Sequence, residues 1–362
     1  MDFVGRREKL RKLLKKTGGE ALLVTSVPNV TYLTGFTGDS SYLLVTQENQ
    51  VLVSDGRYPT QIQEECPGLE MNIRRAGVLI NQQVAKILRA ARIPRLAIEA
   101  DSMTVATRER IGARLPKLEI GATSGMVEHL RQVKDKEELA LIRHAAMIAE
   151  KSFAVLRTRL CPEQTEKQIG DALEHQFRLF GGDGPAFAPI VAIGPRAALP
   201  HAKLTDRPVG DGDILLVDWG AQWQLYKSDL TRVLVTGRIS TKLHRIYEVV
   251  LRAQARAIAA IRPGVPTTEV DTAARSVIAE AGFARRFNHG IGHGFGLEIH
   301  ESPRMSAENT AVLKPGMVVT VEPGVYIPGW GGVRIEDDIL VTRDGHEVLT
   351  NLPKRFDEMV VS

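Results

Sequence analysis

The first third of the chain alternates between amphipathic segments and short apolar runs. A helical pattern covers Phe3–Lys16, and a second helix is predicted over residues 84–91. Residues 31–38, which mix threonine, glycine and aromatic side chains, are typical of a loop. The apolar runs have the length of buried strands and lie at residues 21–24, 42–45, 51–53 and 96–98. This alternation predicts an α/β domain.

A longer helix is predicted from Asp135 onward, because its apolar residues recur at helical spacing and form one stripe. The stripe consists of Leu139, Ile142, Ala146, Ala149, Phe153, Leu156 and Leu160. Pro162 stops this helix, and Thr165 with Gln168 three residues later is typical of a capping box that starts the next one. The change of pattern divides the chain into domains over residues 1–128 and 129–362.

The second domain repeats its own layout. The Thr165-Glu166 pair before one helix recurs 103 residues later as Thr268-Glu269 before another. The segment 212–220 resembles 316–324, since each runs through an apolar strand into an acid and then a glycine, with the two acids 104 residues apart. Nearly equal offsets indicate a duplicated helix–helix–sheet unit within an α+β domain.

Three carboxylates occupy positions where the pattern predicts buried strands. Asp218, Glu322 and Glu336 each end or interrupt an apolar run. An ionised carboxylate is costly to bury unless it is paired or binds a metal. A helix cap or a salt bridge would explain any one of them equally well, but three in one domain favour a metal site.

Strand alternation extends this set, because residues two apart share a face. Asp229 and Thr231 share one face, so the Thr231 hydroxyl is in a position to support Asp229. Arg334 shares a face with Glu336, where it could bind a substrate carboxylate or carbonyl. The alternative for Arg334 is a simple ion pair with a carboxylate.

A glycine-rich segment over residues 289–301 contains three histidines, His289, His293 and His300. Its four glycines disfavour a helix and suit backbone that passes close to a ligand. Carboxylates with one imidazole suit Mn²⁺, Co²⁺ or Zn²⁺. Four carboxylates and one imidazole exceed the ligands of a single zinc site, so two ions about 3.5–4 Å apart with a bridging hydroxide as nucleophile are expected.

Composition excludes several other classes of protein. The net charge of +4 is mild, and no Lys/Arg run is interleaved with aromatic residues, so nucleic acid is not an expected partner. Cys66 and Cys161 lack the spacing of a disulfide scaffold or a thiolate metal site. The basic stretch 6–16 has a membrane-surface helix as one interpretation, although a packed helix with a solvated face is favoured. Without a signal-peptide core or an apolar run of about 18 residues, a cytoplasmic location without membrane partners is expected.

The motifs resemble the creatinase/prolidase/methionine-aminopeptidase family, the pita-bread metallopeptidases. In the second domain the resemblance is carried by residues 218–221, 228–232, 289–303, 320–326 and 332–338. Residues 29–36 and 55–58 look like the creatinase-type N-terminal domain, which points to Xaa-Pro peptidases and away from methionine aminopeptidase. The resemblance implies an N-terminal α/β creatinase-type domain and a C-terminal α+β pita-bread domain with internal pseudo-two-fold duplication.

The resemblance also implies residue roles. His201 and His300 would orient the substrate and steady the tetrahedral intermediate, His289 would line the site, and Glu322 would ligate metal and take a proton from the nucleophile. Two divalent ions, with manganese favoured over cobalt or zinc, would be bound by Asp218, Asp229, His293, Glu322 and Glu336.

The expected activity is hydrolysis of the bond before proline in Xaa-Pro dipeptides or in short peptides that begin Xaa-Pro, by a chain that assembles as a homodimer. The sequence leaves the choice between dipeptidase and aminopeptidase P open. A creatinase-like, metal-free C–N hydrolase and a non-catalytic peptide-binding module are the alternatives. Three features depart from relatives and bear on the shape of the pocket: Arg196 where asparagine is usual, Trp219 where phenylalanine is common, and Gln224-Leu225 in place of a glycine-containing turn.

Overall fold

The computed structural model describes residues 1–211 and 213–361 and divides the chain into two compact units, Met1–Arg131 and Gln132–Ser362. Gly212, the first residue of the repeated strand segment, and Ser362, the last residue of the predicted second domain, lie outside the described residues. Within the described ranges no helix combines the length and the apolarity needed to cross a bilayer.

The first unit is an α/β domain built on one mixed sheet, as the sequence predicts. Its helices are α1 (Phe3–Lys16), α2 (Val27–Thr34), α3 (Pro59–Glu65), α4 (Ile80–Ala90), α5 (Val105–Arg114) and α6 (Met126–Arg131). Its strands are β1 (Ala21–Val24), β2 (Tyr42–Thr46), β3 (Gln50–Asp55), β4 (Met71–Arg74), β5 (Arg95–Glu99) and β6 (Glu119–Thr123). The strand order is β4-β3-β2-β1-β5-β6, with β2 antiparallel to both of its neighbours.

The loop predicted over residues 31–38 is wrong in its first half, because α2 continues to Thr34. Pro28 lies in the first turn of α2, where its missing N–H costs no hydrogen bond, and Gly35 ends the helix with a φ of 85°. Arg6 and Arg7 of α1 donate hydrogen bonds to carbonyl oxygens of the last turn of α2. The basic N-terminal stretch is therefore a packed helix of the first unit.

The second unit contains two helix pairs and several short antiparallel sheets. Its helices are α7 (Lys136–Arg159), α8 (Glu166–Leu179), α9 (Thr241–Ala260) and α10 (Thr267–Glu280). The strands of its first half are β7 (Gly184–Pro185), β8 (Ile190–Ile193), β9 (Ile214–Trp219), β10 (Ala221–Trp223), β11 (Tyr226–Lys227) and β12 (Leu230–Val235). Those of its second half are β13 (Gly292–Gly294), β14 (Glu301–Met305), β15 (Val318–Val321), β16 (Gly324–Ile327), β17 (Gly331–Arg334), β18 (Asp337–Val341) and β19 (His346–Val348). Sheet orders are β12-β9-β8, β14-β13-β15-β18-β19, β11-β10-β7 and β16-β17.

The two halves of this unit repeat one plan of a helix pair followed by antiparallel strands. Thr165 is the N-cap of α8 and forms the predicted capping box with Gln168. The N-cap of α10 is Pro266, so Pro266 rather than Thr268 corresponds to Thr165. Isolated bridges from Thr165 to Pro208 and from Pro266 to Val312 occupy matching places in the two halves. The duplication is present, but the repeated Thr-Glu pair is not structurally equivalent.

Candidate metal centre

Strand pairing brings the predicted acids to one place. In the antiparallel pair of β9 and β12, Thr231 lies opposite Asp218, and Asp229 immediately precedes β12. An isolated bridge pairs Thr231 with Glu336, which joins the first half of the unit to the second. The backbone amide of Asp229 donates a hydrogen bond of 3.2 Å to Oδ2 of Asp338. The ends of apolar strands therefore converge on a group of buried carboxylates.

The side chains of Asp229, His293 and Glu336 form the centre of this group, since each offers a ligand atom within 4.8 Å of the others. His293 Nε2 lies 3.6 Å from Asp229 Oδ2 and 3.6 Å from Glu322 Oε1. The structure thus brings together four of the five sequence-predicted ligands, namely three carboxylates and the imidazole of His293. The fifth, Asp218, lies beside them and pairs through Oδ2 with Arg334 Nη2 at 2.5 Å.

The imidazole of His293 is oriented as a ligand. Its Nδ1 lies 3.1 Å from the carbonyl oxygen of Gly294, which can only accept, so Nδ1 carries the proton. Nε2 then presents a lone pair towards the oxygens of Asp229 and Glu322. Burial, with a smaller effect of the neighbouring His300, lowers the pKa of His293 to about 4. Lone pairs that face one another without a shared proton fit a cation between them.

The buried carboxylates need a nearby positive charge if they are to be ionised near neutral pH. Burial first, and then the neighbouring carboxylates Glu336 and Asp218, raise the pKa of Asp229 well above its usual range. Burial raises the pKa of Glu322 to about 8, against the opposing effect of Arg334. Oδ1 of Asp218 is buried and has no hydrogen-bond partner among the described residues. Buried acids with an orphaned oxygen and a neutral imidazole are a donor set that fits divalent cations.

Thr231 supports a different acid from the one predicted. Its hydroxyl donates a hydrogen bond of 2.6 Å to Glu336 Oε2 and accepts one of 3.1 Å from Arg334 Nε. The expected support of Asp229 by Thr231 is therefore wrong. The reason is the backbone bridge between Thr231 and Glu336, which places the Thr231 hydroxyl next to Glu336 on the paired segment and not next to Asp229 on its own segment.

Arg334 is fully buried and forms an internal ion pair instead of facing open space. Besides Asp218 and Thr231, it donates from Nη1 to the Tyr326 hydroxyl oxygen at 2.9 Å. Nδ1 of His289 lies 2.8 Å from the Gly290 carbonyl, so His289 Nε2 accepts from the Tyr326 hydroxyl at 3.0 Å. Sequence reasoning assigned Tyr326 no role, although it ends one of the motifs that carry the family resemblance.

The remaining predicted histidines lie at the exposed side of the cluster. The ring of His300 lies 4.5 Å from that of His293, centre to centre. His201 and His300 are solvent-exposed, and both act on the pKa of Asp218, although burial and Arg334 act on it more strongly. His201 and His300 are therefore accessible to solvent, whereas Asp218, Asp229 and Glu336 are buried.

The glycines of the 289–301 segment let the backbone pack closely against neighbouring segments. A Cβ atom on Gly292 would lie 2.1 Å from the carbonyl oxygen of Thr320, and one on Gly294 would lie 2.5 Å from that of Ser302. Only glycine lets β13 approach its neighbours this closely. The His293 amide donates a hydrogen bond of 3.1 Å to the Thr320 hydroxyl, which fixes the backbone that carries the His293 imidazole.

A buried arginine that sequence analysis missed, Arg232, binds the backbone next to the acids. Arg232 donates from Nη1 to the carbonyl oxygens of Thr231 and Glu336 and pairs through Nη2 with Asp337 at 2.7 Å. Arg232 and Asp337 are both fully buried. The sequence signal that could have identified this residue is a charged side chain within the otherwise largely apolar strand β12.

Two of the departures from relatives have local explanations. Trp219 is buried, stacks on Phe153 with ring centres 4.3 Å apart, and donates from Nε1 to the Ala149 carbonyl. Gln224 and Leu225 adopt φ values of 46° and 71° in the turn between β10 and β11, as a two-residue hairpin turn requires. Trp219 is therefore a core residue of the second unit.

Comparisons with known proteins identify the family and agree with the fold. Residues 140–343 match the model of metallopeptidase family M24, and residues 6–133 match the creatinase/prolidase N-terminal domain. An uncharacterized peptidase of Bacillus subtilis (strain 168) is 40% identical over 349 residues, which cover 96% of this chain and 98% of that protein.

Solved structures agree over nearly the whole chain. An Xaa-Pro dipeptidase from Bacillus anthracis superposes with a TM-score of 0.95 at 36% identity, covering 99% of both chains. An X-Pro aminopeptidase from Thermotoga maritima MSB8 superposes with a TM-score of 0.88 at 34% identity, covering 95% of this chain and 98% of that one. The chain belongs to metallopeptidase family M24 and carries a creatinase/prolidase N-terminal domain.

Proposed function

We propose that this enzyme hydrolyses the peptide bond before proline, in Xaa-Pro dipeptides or in short peptides that begin Xaa-Pro. The observation that carries the proposal is the approach of unprotonated His293 Nε2 to carboxylate oxygens of Asp229 and Glu322 at 3.6 Å, beside the unpartnered oxygen of Asp218. Relatives named Xaa-Pro dipeptidase and X-Pro aminopeptidase support the substrate class. Catalysis is assigned to residues 129–362.

The proposed ligands of two divalent ions are Asp218, Asp229, His293, Glu322 and Glu336. When bound, such ions would supply a water of lowered pKa as nucleophile and would polarise the scissile carbonyl. Manganese as the preferred ion and a homodimeric assembly belong to the same proposal. Elemental analysis of the purified protein and light scattering test these two points.

The residues of the chain complete the reaction. Glu322 accepts a proton from the attacking water, and the proton passes to the proline nitrogen as the C–N bond breaks. His201 and His300, on the exposed side of the cluster, donate hydrogen bonds to the substrate and to the oxygen that becomes negative in the tetrahedral intermediate. His289 lines the site, and Arg334 holds Asp218 and Thr231 in place.

Preference for proline follows from the missing N–H of an Xaa-Pro bond. A site shaped for it provides no acceptor at that nitrogen, whereas an ordinary peptide would bury an unpaired donor there. An unpaired group costs about 1–3 kcal/mol, which corresponds to roughly 5- to 150-fold in selectivity.

Matched peptides test the proposal: Ala-Pro against Ala-Ala, and Ala-Pro-Ala against Ala-Ala-Ala, each with Mn²⁺, Co²⁺ and Zn²⁺ in turn. Faster cleavage of the proline member of each pair is expected. Equal rates for alanine and proline peptides would refute the proline preference but leave a metallopeptidase. Comparison of Ala-Pro with Ala-Pro-Ala separates a dipeptidase from an aminopeptidase. A well-folded, metal-supplemented protein that binds no ion would favour the creatinase-like or non-catalytic alternatives.

A further inference from the structure

A buried carboxylate lies at the base of the segment that carries His201. Glu166, the first residue of α8, is fully buried. Its oxygens accept hydrogen bonds from the Ile193 amide at 3.0 Å, the Thr205 amide at 2.9 Å and the Thr205 hydroxyl at 2.6 Å. Because Ile193 and Thr205 precede and follow His201, one carboxylate ties together both ends of this segment.

Arg196 adds a bond across the same segment. Its Nε donates to Glu166 Oε1 at 2.9 Å, and its Nη2 donates to the carbonyl oxygen of Lys203 at 2.5 Å. Arg196 lies in the short 3-10 turn before His201, and Lys203 lies two residues after His201. The guanidinium therefore connects the two sides of the His201 loop to each other and to the buried carboxylate.

The turn that carries Arg196 packs closely against a strand of the metal centre. A Cβ atom on Gly332 of β17 would lie 2.1 Å from the carbonyl oxygen of Ala197. The same strand ends at Arg334, which bonds Asp218. Packing against β17 therefore holds the turn in place next to the metal centre. The exposed part of the segment, which carries His201, is held by the hydrogen bonds of Arg196 and Glu166.

The second half of the unit holds its own histidine segment with the same chemistry. The buried carboxylate of Asp271 pairs with Arg275 and accepts from the Ile291 amide at 3.1 Å. Arg275 Nη2 donates to the His289 carbonyl oxygen at 2.8 Å. Each half of the duplicated unit thus uses a carboxylate–arginine pair to hold a loop with a candidate site histidine.

We propose that Arg196, together with Glu166, is a positioning residue that orients His201 towards the substrate. This inference rests on the proposed function, in which His201 contacts the substrate. Arg196 does not itself touch the reacting atoms. Its guanidinium makes both bonds at once and so clamps the two sides of the segment together, which an asparagine side chain would be too short to do.

A double-mutant cycle tests the inference with metal-loaded full-length protein. The variants are R196A, H201A and the double variant, with R196K as the conservative replacement. H201A should lower kcat by about 10²–10⁴-fold, as for a lost hydrogen-bond donor or acid/base. R196A should lower kcat by about 10-fold with a smaller change in KM, and R196K should recover part of the loss, since a misaligned group retains some of its effect.

The decisive comparison is the loss of kcat that R196A causes in protein that already carries H201A. There the additional loss should be no more than about 2-fold, because the effects of residues that act as a unit do not add. R143A is the matched control, since it removes an exposed arginine–carboxylate pair of the same unit and leaves the His201 segment intact. Wild-type rates for R196A, or an equal loss with and without His201, would overturn the inference. So would a loss of bound metal in R196A.

Amide hydrogen exchange separates this inference from the proposed function. R196A should speed exchange of the backbone amides of residues 197–204 by about 10-fold or more. The variant lacks the bonds that close the segment, so local opening costs less free energy. R143A should leave these amides at wild-type rates. Unchanged exchange in R196A refutes the clamp whatever the enzyme cleaves, whereas a wild-type protein that ignores Xaa-Pro peptides refutes the proposed function.

Discussion

Ion-free protein should become less stable as the pH rises from 6.5 to 8, and divalent cations should abolish this loss. An acid with a raised folded-state pKa stabilises the fold below its unfolded pKa and loses that contribution as the pH rises through its folded pKa. Burial raises the pKa of Glu322 from an ordinary value of 4.5 to about 8, and burial, followed by the neighbouring Glu322, raises the pKa of Glu336 well above its usual range.

The lower limit of this window is set by histidines that act in the opposite direction. Burial lowers the pKa of both His289 and His293 from 6.5 to about 4, so their contribution to stability grows as the pH rises to 6.5 and is complete above it. Above pH 6.5 the acids dominate. At about 1.4 kcal/mol per pKa unit, Glu322 alone removes about 2 kcal/mol between pH 6.5 and 8.

The measurement is thermal unfolding of chelator-treated protein at pH 6.5 and pH 8, with and without added MnCl₂. For a unit of the length of residues 132–362, 1 kcal/mol moves the Tm by about 2–4 °C, so a fall of roughly 4–8 °C is expected without metal. E322Q, which cannot ionise, should flatten the slope. A metal-free Tm that is constant or rises over this window, or an unchanged slope in E322Q, would refute the reasoning.

Three further predictions concern single side chains. E336A should lose at least one bound ion, and elemental analysis that finds wild-type metal content would exclude Glu336 as a ligand. T231V should weaken metal binding by about 10- to 100-fold, since its hydroxyl bonds the Glu336 carboxylate, and titration with Mn²⁺ that gives wild-type affinity would contradict this role. H300A should fold and keep its metal but lose about 10²–10⁴-fold in kcat, and near-wild-type turnover in a steady-state assay would exclude its proposed role.

Local patterns predicted the elements well where one physical cause dominates. Asp135 caps α7 and Thr165 caps α8 because each side chain satisfies free amides of the first helical turn. The missed helix α2 contains threonine and tyrosine, which have only modest helix propensity, but it buries Tyr32 and Leu33 against the rest of the first unit. Tertiary burial, which local sequence does not encode, decided that segment.

Hydrogen-bond partners that lie far apart in the sequence were harder to predict from it. Strand alternation gives the face on which Thr231 lies, but its bond to Glu336 joins residues 105 positions apart. The contacts of Arg196 with Glu166 and Lys203 likewise depend on how a turn folds back on a helix. Motif spacing identifies which residues converge, whereas the pairing between segments determines which of them orient the others.

The proposed use of two divalent ions, and not one, agrees with the charges around the site. Four carboxylates, those of Asp218, Asp229, Glu322 and Glu336, surround a neutral imidazole, and Arg334 compensates one of them. Three negative charges then remain when all four acids are ionised. One divalent ion would leave a buried negative charge, which would oppose the negative charge that develops on the scissile carbonyl oxygen. Two ions would leave one positive charge, which the expected hydroxide would neutralise, so that oxygen would meet no excess of negative charge in a site of low dielectric. The same buried charge that destabilises the ion-free protein at high pH therefore supports both the binding of a second ion and its use in the proposed hydrolysis.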